Sequence, residues 1–407
     1  MKKRSRRAIV VGGSLGGLLA GLHLQLRGWE VGIYERSASP LSGRGAGLVT
    51  HPELRSALNE LGLDADTNFG VPILCRLAVD NAGRVIARHD YPQITTSWNR
   101  MFELLQAGLA KGAYHLGKDL QRTTQSPDGV TAHFADGTSE TADILIGADG
   151  FRSIVRAQHA NGAQPGYAGY VAWRGLLDER IAMPLMGEDL FNRMSFFMPP
   201  CEEFLGYPVA GPDNDLRLGH RSWNLVWYRP ADEKTVLPRL LTDDSGRRHE
   251  ISIPPPLIAR SVVAELRADA ERLLPELFKR VVREIEAPFL QPIYDFESTR
   301  MVFGRVALIG DAAFVVRPHV GAGVTKAADD AAALAEALDG NADIESALAD
   351  YEARRIDEGR KFVARARRLG CFLKREFATE EEKKKAAFHA EPERVIAEAG
   401  RVDFLYS

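Results

Sequence analysis

Cysteine is scarce in this chain. The 407 residues hold three, Cys75, Cys201 and Cys371, far apart and without C-x-x-C spacing. That odd, scattered set excludes a disulfide framework and a thiolate metal cluster. It predicts free thiols, no metal site and a reducing compartment, the cytoplasm. An excess of charge is missing too: 52 lysines and arginines stand against 55 aspartates and glutamates, a net charge of −3. Nothing there asks for nucleic acid as a partner. No run is apolar enough to span a membrane, so no membrane partner is expected. The basic Lys2–Arg7 stretch precedes an apolar run, but four glycines in six residues at 12–17 interrupt it, which excludes a secretory signal. Internal repeats and low-complexity segments are absent. What remains, 45% hydrophobic and 26% charged, is the composition of a globular chain long enough for two or three domains.

The most informative stretch is 8–36, AIVVGGSLGGLLAGLHLQLRGWEVGIYER. Ala8–Val11 reads as a buried strand and Gly12–Gly17 as a glycine-rich turn. Leu18–Arg27 reads as a helix ended by Gly28, and Trp29–Tyr34 as a second strand that stops at Glu35. A βαβ unit of this kind cradles a dinucleotide. Gly12, Gly13, Ser14, Leu15 and Gly17 are the candidate pyrophosphate contacts, because small residues let the backbone approach and the helix N-terminus offers free N–H groups. Glu35 is placed to accept from a ribose hydroxyl. Ser14 stands where the six-residue pattern has its second glycine, and its hydroxyl can itself bond a phosphate.

Further along, 41–53 is a glycine-rich loop with Arg44 as its natural anion contact, and Pro52–Leu61 reads as a helix. Residues 71–92 alternate as a hairpin. Asn99–Leu109 reads as a helix with Arg100 near its start, unfavourable for the dipole unless an anion offsets it. Ile144–Ile146 is a buried strand that runs into Gly147-Ala148-Asp149-Gly150. Met194–Met198, Leu205–Val209 and Trp223–Tyr228 read as antiparallel strands. In the last, Trp223, Leu225 and Trp227 share one face and Asn224, Val226 and Tyr228 the other. An aromatic face of this kind is either core or the wall of an aromatic ligand's pocket. Ser261–Glu286 reads as one helix. Arg305–Ile309 is a strand leading into Gly310-Asp311, and Gly321-Ala322-Gly323 precedes a helix over Val324–Leu338, capped by Gly340. A long helix follows over Ile344–Leu373, and Thr379 with Glu382 opens a last one.

Three motifs in this order, the βαβ with Glu35, Asp149-Gly150 after a strand, and Gly310-Asp311 followed by Pro318 and Gly321-x-Gly323, resemble the single-component flavoprotein aromatic hydroxylases, the p-hydroxybenzoate hydroxylase-like group. The likeness runs from about residue 8 to about 370. YERSASPLSGRGAGLV, GYAGYVAWRG, YPVAGPD, NLVWYR and GDAAFVVRPHVGAG look most like the dihydroxypyridine hydroxylase subgroup.

The resemblance implies an α/β fold: a discontinuous, Rossmann-like FAD domain (1–70, 97–166, 286–340), an inserted antiparallel sheet for substrate (71–96, 167–285) and C-terminal helices (341–407). It implies that Gly12, Ser14 and Gly17 line the FAD pyrophosphate, that Glu35 takes the adenosine ribose, and that Arg36 and Arg44 lie along the adenosine half. Arg100 would reach the pyrophosphate region and the Leu120 backbone the adenine. Asp149 would serve both FAD and the nicotinamide, and Gly310-Asp311 the ribityl chain. Pro318 would sit beside the flavin, with Gly321, Ala322 and Gly323 at its pyrimidine end.

The implied reaction is NAD(P)H reduction of the flavin, then O2 addition to a flavin hydroperoxide that hydroxylates a small electron-rich aromatic or N-heterocyclic ring. No second glycine-rich nucleotide motif is present, so NADH or NADPH would dock transiently. His51, Tyr170, Tyr207 and His319 are the candidates for activating the ring, and Tyr170, Tyr207 and Trp227 for walling it. A halogenase would carry W-x-W-x-I-P, which is absent. A plain dehydrogenase has no use for the Gly310-Asp311 segment. A flavin oxidase or reductase on the same fold and a non-catalytic flavin redox sensor stay open, as does a homodimer.

Overall fold

The computed structural model describes residues 6–42, 47–341 and 343–405. Its elements run, in chain order, β1 (Arg7–Val11), α1 (Leu15–Leu26), β2 (Glu30–Tyr34), β3 (Gly47–Thr50), α2 (Pro52–Glu60), β4 (Val71–Val79), β5 (Val85–Ser97), α3 (Trp98–Ala107), β6 (Tyr114–His115), β7 (Leu120–Ser126), β8 (Gly129–Phe134), β9 (Ser139–Ala142), β10 (Ile144–Gly147) and α4 (Ile154–His159). Then come β11 (Gly166–Asp178), α5 (Glu179–Met186), α6 (Glu188–Phe191), β12 (Met194–Phe197), β13 (Glu203–Val209), β14 (Ser222–Pro230), α7 (Val236–Leu240), α8 (Arg260–Leu273), α9 (Glu276–Glu284) and β15 (Phe289–Glu297). The chain closes with β16 (Val302–Phe303), β17 (Val306–Leu308), β18 (Phe314–Val315), α10 (Gly323–Gly340), α11 (Ile344–Leu369), α12 (Glu380–His389) and α13 (Pro392–Glu398).

Two sheets organise these elements. The first has the order β16-β17-β10-β1-β2-β6, parallel from β17 to β6. Its strands are short apolar runs buried on both faces, as parallel strands under helices must be. α1 and α10 pack on each other, and α11 packs on α10. β7-β8-β9 forms a small sheet of its own. This is the expected α/β nucleotide architecture, assembled from three separated stretches of chain.

The second sheet has nine strands, β18-β15-β11-β14-β13-β12-β4-β5-β3. Its pairs are antiparallel except β12 with β4, which run parallel. The expected purely antiparallel sheet is therefore mixed, because the returning β12 docks beside the earlier hairpin. β3 and β15 both belong to this sheet, so strand pairing carries it beyond the expected limits of 71 and 285. The alternation read in β14 separates two cores. Trp223, Leu225 and Trp227 face the helices α8 and α9, whereas Val226 and Tyr228 face a core shared with the C-terminal segment.

Three helix expectations change. Ser261–Glu286 is two helices, because Pro275 drives Leu274 into an extended conformation between them. α10 includes Gly340, with Asn341 as its cap. α11 stops at Leu369 rather than Leu373. The Thr379 hydroxyl accepts from Glu382 N–H, as the capping spacing predicts. Among the described residues, no helix is long and apolar enough to cross a membrane.

Candidate active site

The carboxyl ends of β1, β10 and β17 open onto one face of the nine-stranded sheet. Between them lies a cavity of about 330 Å³. Ligands of open α/β sheets bind at such strand ends. Ser14, Leu15, Gly150, Gly310 and Asp311 line it from the first sheet. Met194, Phe196, Glu203, Leu205, Tyr207, Val226 and Tyr228 line it from the second, and Pro318, His319, Gly321, Ala322 and Gly323 from the connecting loop.

The turn at Gly12–Gly17 is built for close approach. Gly12 has φ +103°, and a Cβ there would come within 2.4 Å of the Ala148 carbonyl oxygen. A Cβ on Gly17 would meet the Gly12 carbonyl oxygen at 1.9 Å. Ser14 precedes α1 without capping it, so its hydroxyl is not spent on the helix. α10 likewise starts without a side-chain cap, after Gly321 in the left-handed region. Neither helix has an acidic residue in its first turn. Two uncapped N-termini with their positive dipole ends thus adjoin one cavity.

Three carboxylates surround these turns. Glu35 accepts from Gly13 N–H and Ser37 N–H, each at 2.9 Å, so it holds the turn as well as ending β2. Asp149 Oδ2 accepts from Ile154 N–H at 2.7 Å and starts α4, while its buried Oδ1 has no hydrogen-bond partner among the described residues. Burial pushes the Asp149 carboxyl upward. Asp311 opens into the cavity. Crowding by protein raises its pKa, and Lys326 and Arg156 oppose that rise. The Gly310-Asp311 turn is clamped from behind: fully buried Lys326 donates to the Gly310 carbonyl and to Asp330, and Asp330 accepts from Gly310 N–H at 3.0 Å.

At the sheet side, Glu203, Leu205 and Tyr207 project from one face of β13 into the cavity. Glu203 Oε2 lies 3.4 Å from His319 Nδ1, and both residues are buried. The other ring nitrogen, Nε2, is 2.8 Å from the Tyr170 hydroxyl. The Tyr228 ring stands 4.5 Å from the imidazole. Met194, Phe196, Leu205 and Val226 give that wall apolar surface and Arg174 of β11 a cation, a setting in which a buried carboxylate–imidazole pair is chemically conspicuous.

Comparison with known proteins agrees with this geometry. Residues 268–366 match a family described as FAD binding domain, and 167–295 one described as FAD binding domain-like. The chain is 33% identical to 2,6-dihydroxypyridine 3-monooxygenase of Paenarthrobacter nicotinovorans over 92% of its own length and 93% of that protein. It is 31% identical to 3-amino-4-hydroxybenzoate 2-monooxygenase of Streptomyces cremeus, over 91% and 88%. The solved structure of 2,6-dihydroxypyridine-3-hydroxylase from Arthrobacter nicotinovorans superposes with a TM-score of 0.85 at 32% identity, covering 93% of this chain and 96% of that one. The chain belongs to the FAD-dependent aromatic hydroxylases.

The hydroxylase uses FAD, which carries the redox and oxygen chemistry when bound, with NAD(P)H as co-substrate. The residues present fit that cofactor: a turn with no room for a Cβ at Gly12, Gly13 or Gly17, an uncommitted Ser14 hydroxyl, and an Asp311 carboxylate with no hydrogen bond from another side chain among the described residues.

Several residues singled out from the sequence do not line this cavity. His51 does not reach the cavity; Nδ1 is bonded to Thr325 Oγ1 and Nε2 to the Gly400 carbonyl. Burial lowers its pKa to about 4, so it is a neutral structural group. Trp227 lies on the other face of β14, with Nε1 donating to Glu202. Tyr170 is buried behind the cavity wall, bonded to His319 and edge-on to Tyr228. Arg100 does not line the cavity, because its guanidinium donates to the carbonyls of Asn68, Phe69 and Asn214. Those carbonyls are the partners it has at the helix start. Leu120 is buried in the core of the first domain, paired with Phe134. Arg36 is exposed at the end of β2. Arg44 lies outside the described residues. Sequence reasoning missed Glu203, Tyr228 and Lys326. The signal for Glu203 was present, since it is the acidic member of the same two-residue alternation as Tyr207.

Proposed function

We propose that this hydroxylase acts on a small ring bearing an ionisable hydroxyl, a hydroxypyridine or phenol, and that Glu203 accepts the proton of that hydroxyl. Loss of the proton makes the ring electron-rich at the position to be hydroxylated. Support comes from the Glu203–His319 pair, a buried ion-capable pair on the wall opposite the glycine turns, which Arg174 also lines. His319 Nδ1, 3.4 Å from the carboxylate, orients Glu203 while Tyr170 fixes the imidazole from behind. Met194, Phe196, Val226 and Tyr228 exclude water around the ring.

In the same reading, the backbone at Gly12, Gly13, Ser14, Leu15 and Gly17 holds the FAD pyrophosphate and Glu35 the adenosine ribose. Asp311 holds the ribityl hydroxyls. Pro318 flanks the flavin, and the amides of Gly321, Ala322 and Gly323 meet its pyrimidine end. The dihydroxypyridine relative supports a hydroxypyridine as the first candidate. The scattered free thiols support a cytoplasmic enzyme, and a homodimer is the assembly to look for by light scattering.

The test is a panel of hydroxypyridines, phenols and hydroxylated purines. NAD(P)H consumed, product formed and peroxide released are scored together. At least one hydroxypyridine should stimulate NAD(P)H oxidation with a product-to-NAD(P)H ratio near one. Stimulation only by rings without an ionisable hydroxyl overturns the reading.

A further inference from the structure

Glu203 and His319 do not only line the main cavity. They also form the wall of a second void, about 10 Å³, on the side away from the flavin turns. Its other walls are Leu369 and Phe372 at the end of α11, and His389, Arg394, Val395 and Glu398 from α12 and α13. A void of that size holds one water when polar groups surround it. Two buried acceptor or donor atoms there lack hydrogen bonds among the described residues: His319 Nδ1 and Glu398 Oε2. Glu398 Oε2 has Arg365 Nη1 at 3.1 Å as an ion partner and His389 Nδ1 at 4.0 Å. The Glu398 side chain is 26% exposed, so the chain of polar groups that begins in the active site ends at solvent.

We propose that Glu398 and His389 are the outlet for the substrate proton, coupled to Glu203 and His319 through a water in this void. The step balances simply. The ring O–H bond breaks, its electron pair stays on the ring oxygen, and the proton forms an O–H bond on Glu203. The void water takes that proton and gives one of its own to Glu398, which releases it to bulk water. His389 is the alternative acceptor. His319 stays in place as the group that orients Glu203. A proton left on Glu203 beside the ring would return to it, so an outlet favours the ionised ring during the reaction.

Other charged and titratable groups face this chain. Tyr170, with Arg317 over its ring and Asp295 behind Arg317, adjoins His319. Tyr228 and Arg174 face the main cavity. Arg394 lines the void with its guanidinium engaged by Glu391 and stacked on Phe388, and Arg365 backs Glu398. Of these groups Arg394 alone lines the void, and a guanidinium does not accept a proton.

The inference rests on Glu203 as proton acceptor, and the experiment separates the two. FAD-loaded enzyme is mixed in a stopped-flow instrument with 2,6-dihydroxypyridine in weak buffer. Ring ionisation is followed by ultraviolet absorbance and the released proton by an indicator dye. Wild type should ionise the ring and release one proton in a single phase. Glu398→Gln with His389→Gln should bind the probe as tightly yet release its proton about tenfold more slowly or worse. Added imidazole should restore the rate, and Glu398→Asp should keep most of it. An unchanged rate in the double variant overturns the outlet, as does a lowered Tm with normal proton release. Ionisation lost in Glu203→Gln with the double variant normal leaves the base and removes the outlet. A wild type that does not bind the probe, or binds it without ionising it, sinks both.

Discussion

Arg76 Nη2 donates to the carbonyl of Gly400 at 3.2 Å, 324 residues away in sequence. The same fully buried guanidinium, on β4, also donates to the carbonyls of Ile396 and Ala399 and to Gln93 Oε1 at 2.5 Å. The Gly400 carbonyl accepts in addition from Gln93 Nε2 and is bonded to His51 Nε2, and Gly400 N–H donates to the His319 carbonyl. Ala399 and Gly400 line the main cavity. One side chain of the second sheet therefore fastens the end of the chain as a wall of the active site.

That fastening can be tested with Arg76→Met. The substitution keeps the apolar stem and takes their donor from the Ile396 and Ala399 carbonyls and from Gln93 Oε1, whereas the Gly400 carbonyl keeps Gln93 and His51; a buried acceptor left unpaired costs about 1–3 kcal/mol. Residues 392–400 should exchange amide hydrogens much faster than in wild type. FAD should still bind, because none of its proposed contacts is touched. With the wall loosened, a larger share of NAD(P)H should end as peroxide. Unchanged exchange over that segment would refute the role given to Arg76.

Asp311→Ala tests the cofactor end. A carboxylate on ribityl hydroxyls contributes about 1.5–3 kcal/mol, so FAD affinity should fall by roughly one to two decades at about 1.4 kcal/mol per decade. The fold should survive, since no other side chain among the described residues hydrogen-bonds this carboxylate. Fluorescence titration of the apoprotein with FAD reads the change. An affinity equal to wild type would remove Asp311 from the site.

Acid sensitivity should come in part from two buried histidines. Burial lowers the pKa of His23 and of His51 to about 4, from 6.5 in the unfolded chain. Between those values the unfolded state binds protons that the folded state refuses. Stability is therefore whole above pH 6.5 and is lost as pH falls toward 4. His23 has neither ring nitrogen bonded among the described residues. His23→Leu should raise the Tm, and the gain should be larger at pH 5 than at pH 7.5. His51→Asn, which breaks bonds to Thr325 and Gly400, should instead lower it at both. A gain from His23→Leu that does not depend on pH would contradict this account.

The parts of the site that were legible in the sequence are the local ones. A strand, a glycine turn and a helix follow one another within a few residues, so Gly12–Gly17, Glu35 and Gly310-Asp311 could be read as a unit. Alternation along β14 correctly paired Trp223 with Trp227 and Val226 with Tyr228. Which face meets the cavity was not legible, because it depends on α8 and α9 covering Trp223 and Trp227 from far along the chain. The Glu203–His319 pair was hidden for the same reason: it forms only when the loop before α10 crosses β13. Arg100 misled because its counter-groups are loop carbonyls at 68, 69 and 214, which no local pattern announces.

The two faces of β14 give the last prediction. Trp227 is fully buried against α8 and α9, and its ring is covered by Arg229 at 4.4 Å. Tyr228, its neighbour, faces the cavity and the His319 ring. Trp227→Ala should cost about 3–5 kcal/mol of stability, the usual loss for a truncated buried aromatic. What folds should keep its FAD and its normal ratio of product to NAD(P)H. Tyr228→Ala should show the opposite balance. It opens the water-excluding wall beside the ring and the imidazole, so peroxide should rise and product fall while NAD(P)H oxidation continues. Tyr228→Phe keeps the wall and should restore most of the coupling. Melting temperature and peroxide yield are measured on the same preparations. Coupling lost in Trp227→Ala and kept in Tyr228→Ala would mean that the catalytic face of β14 is the other one.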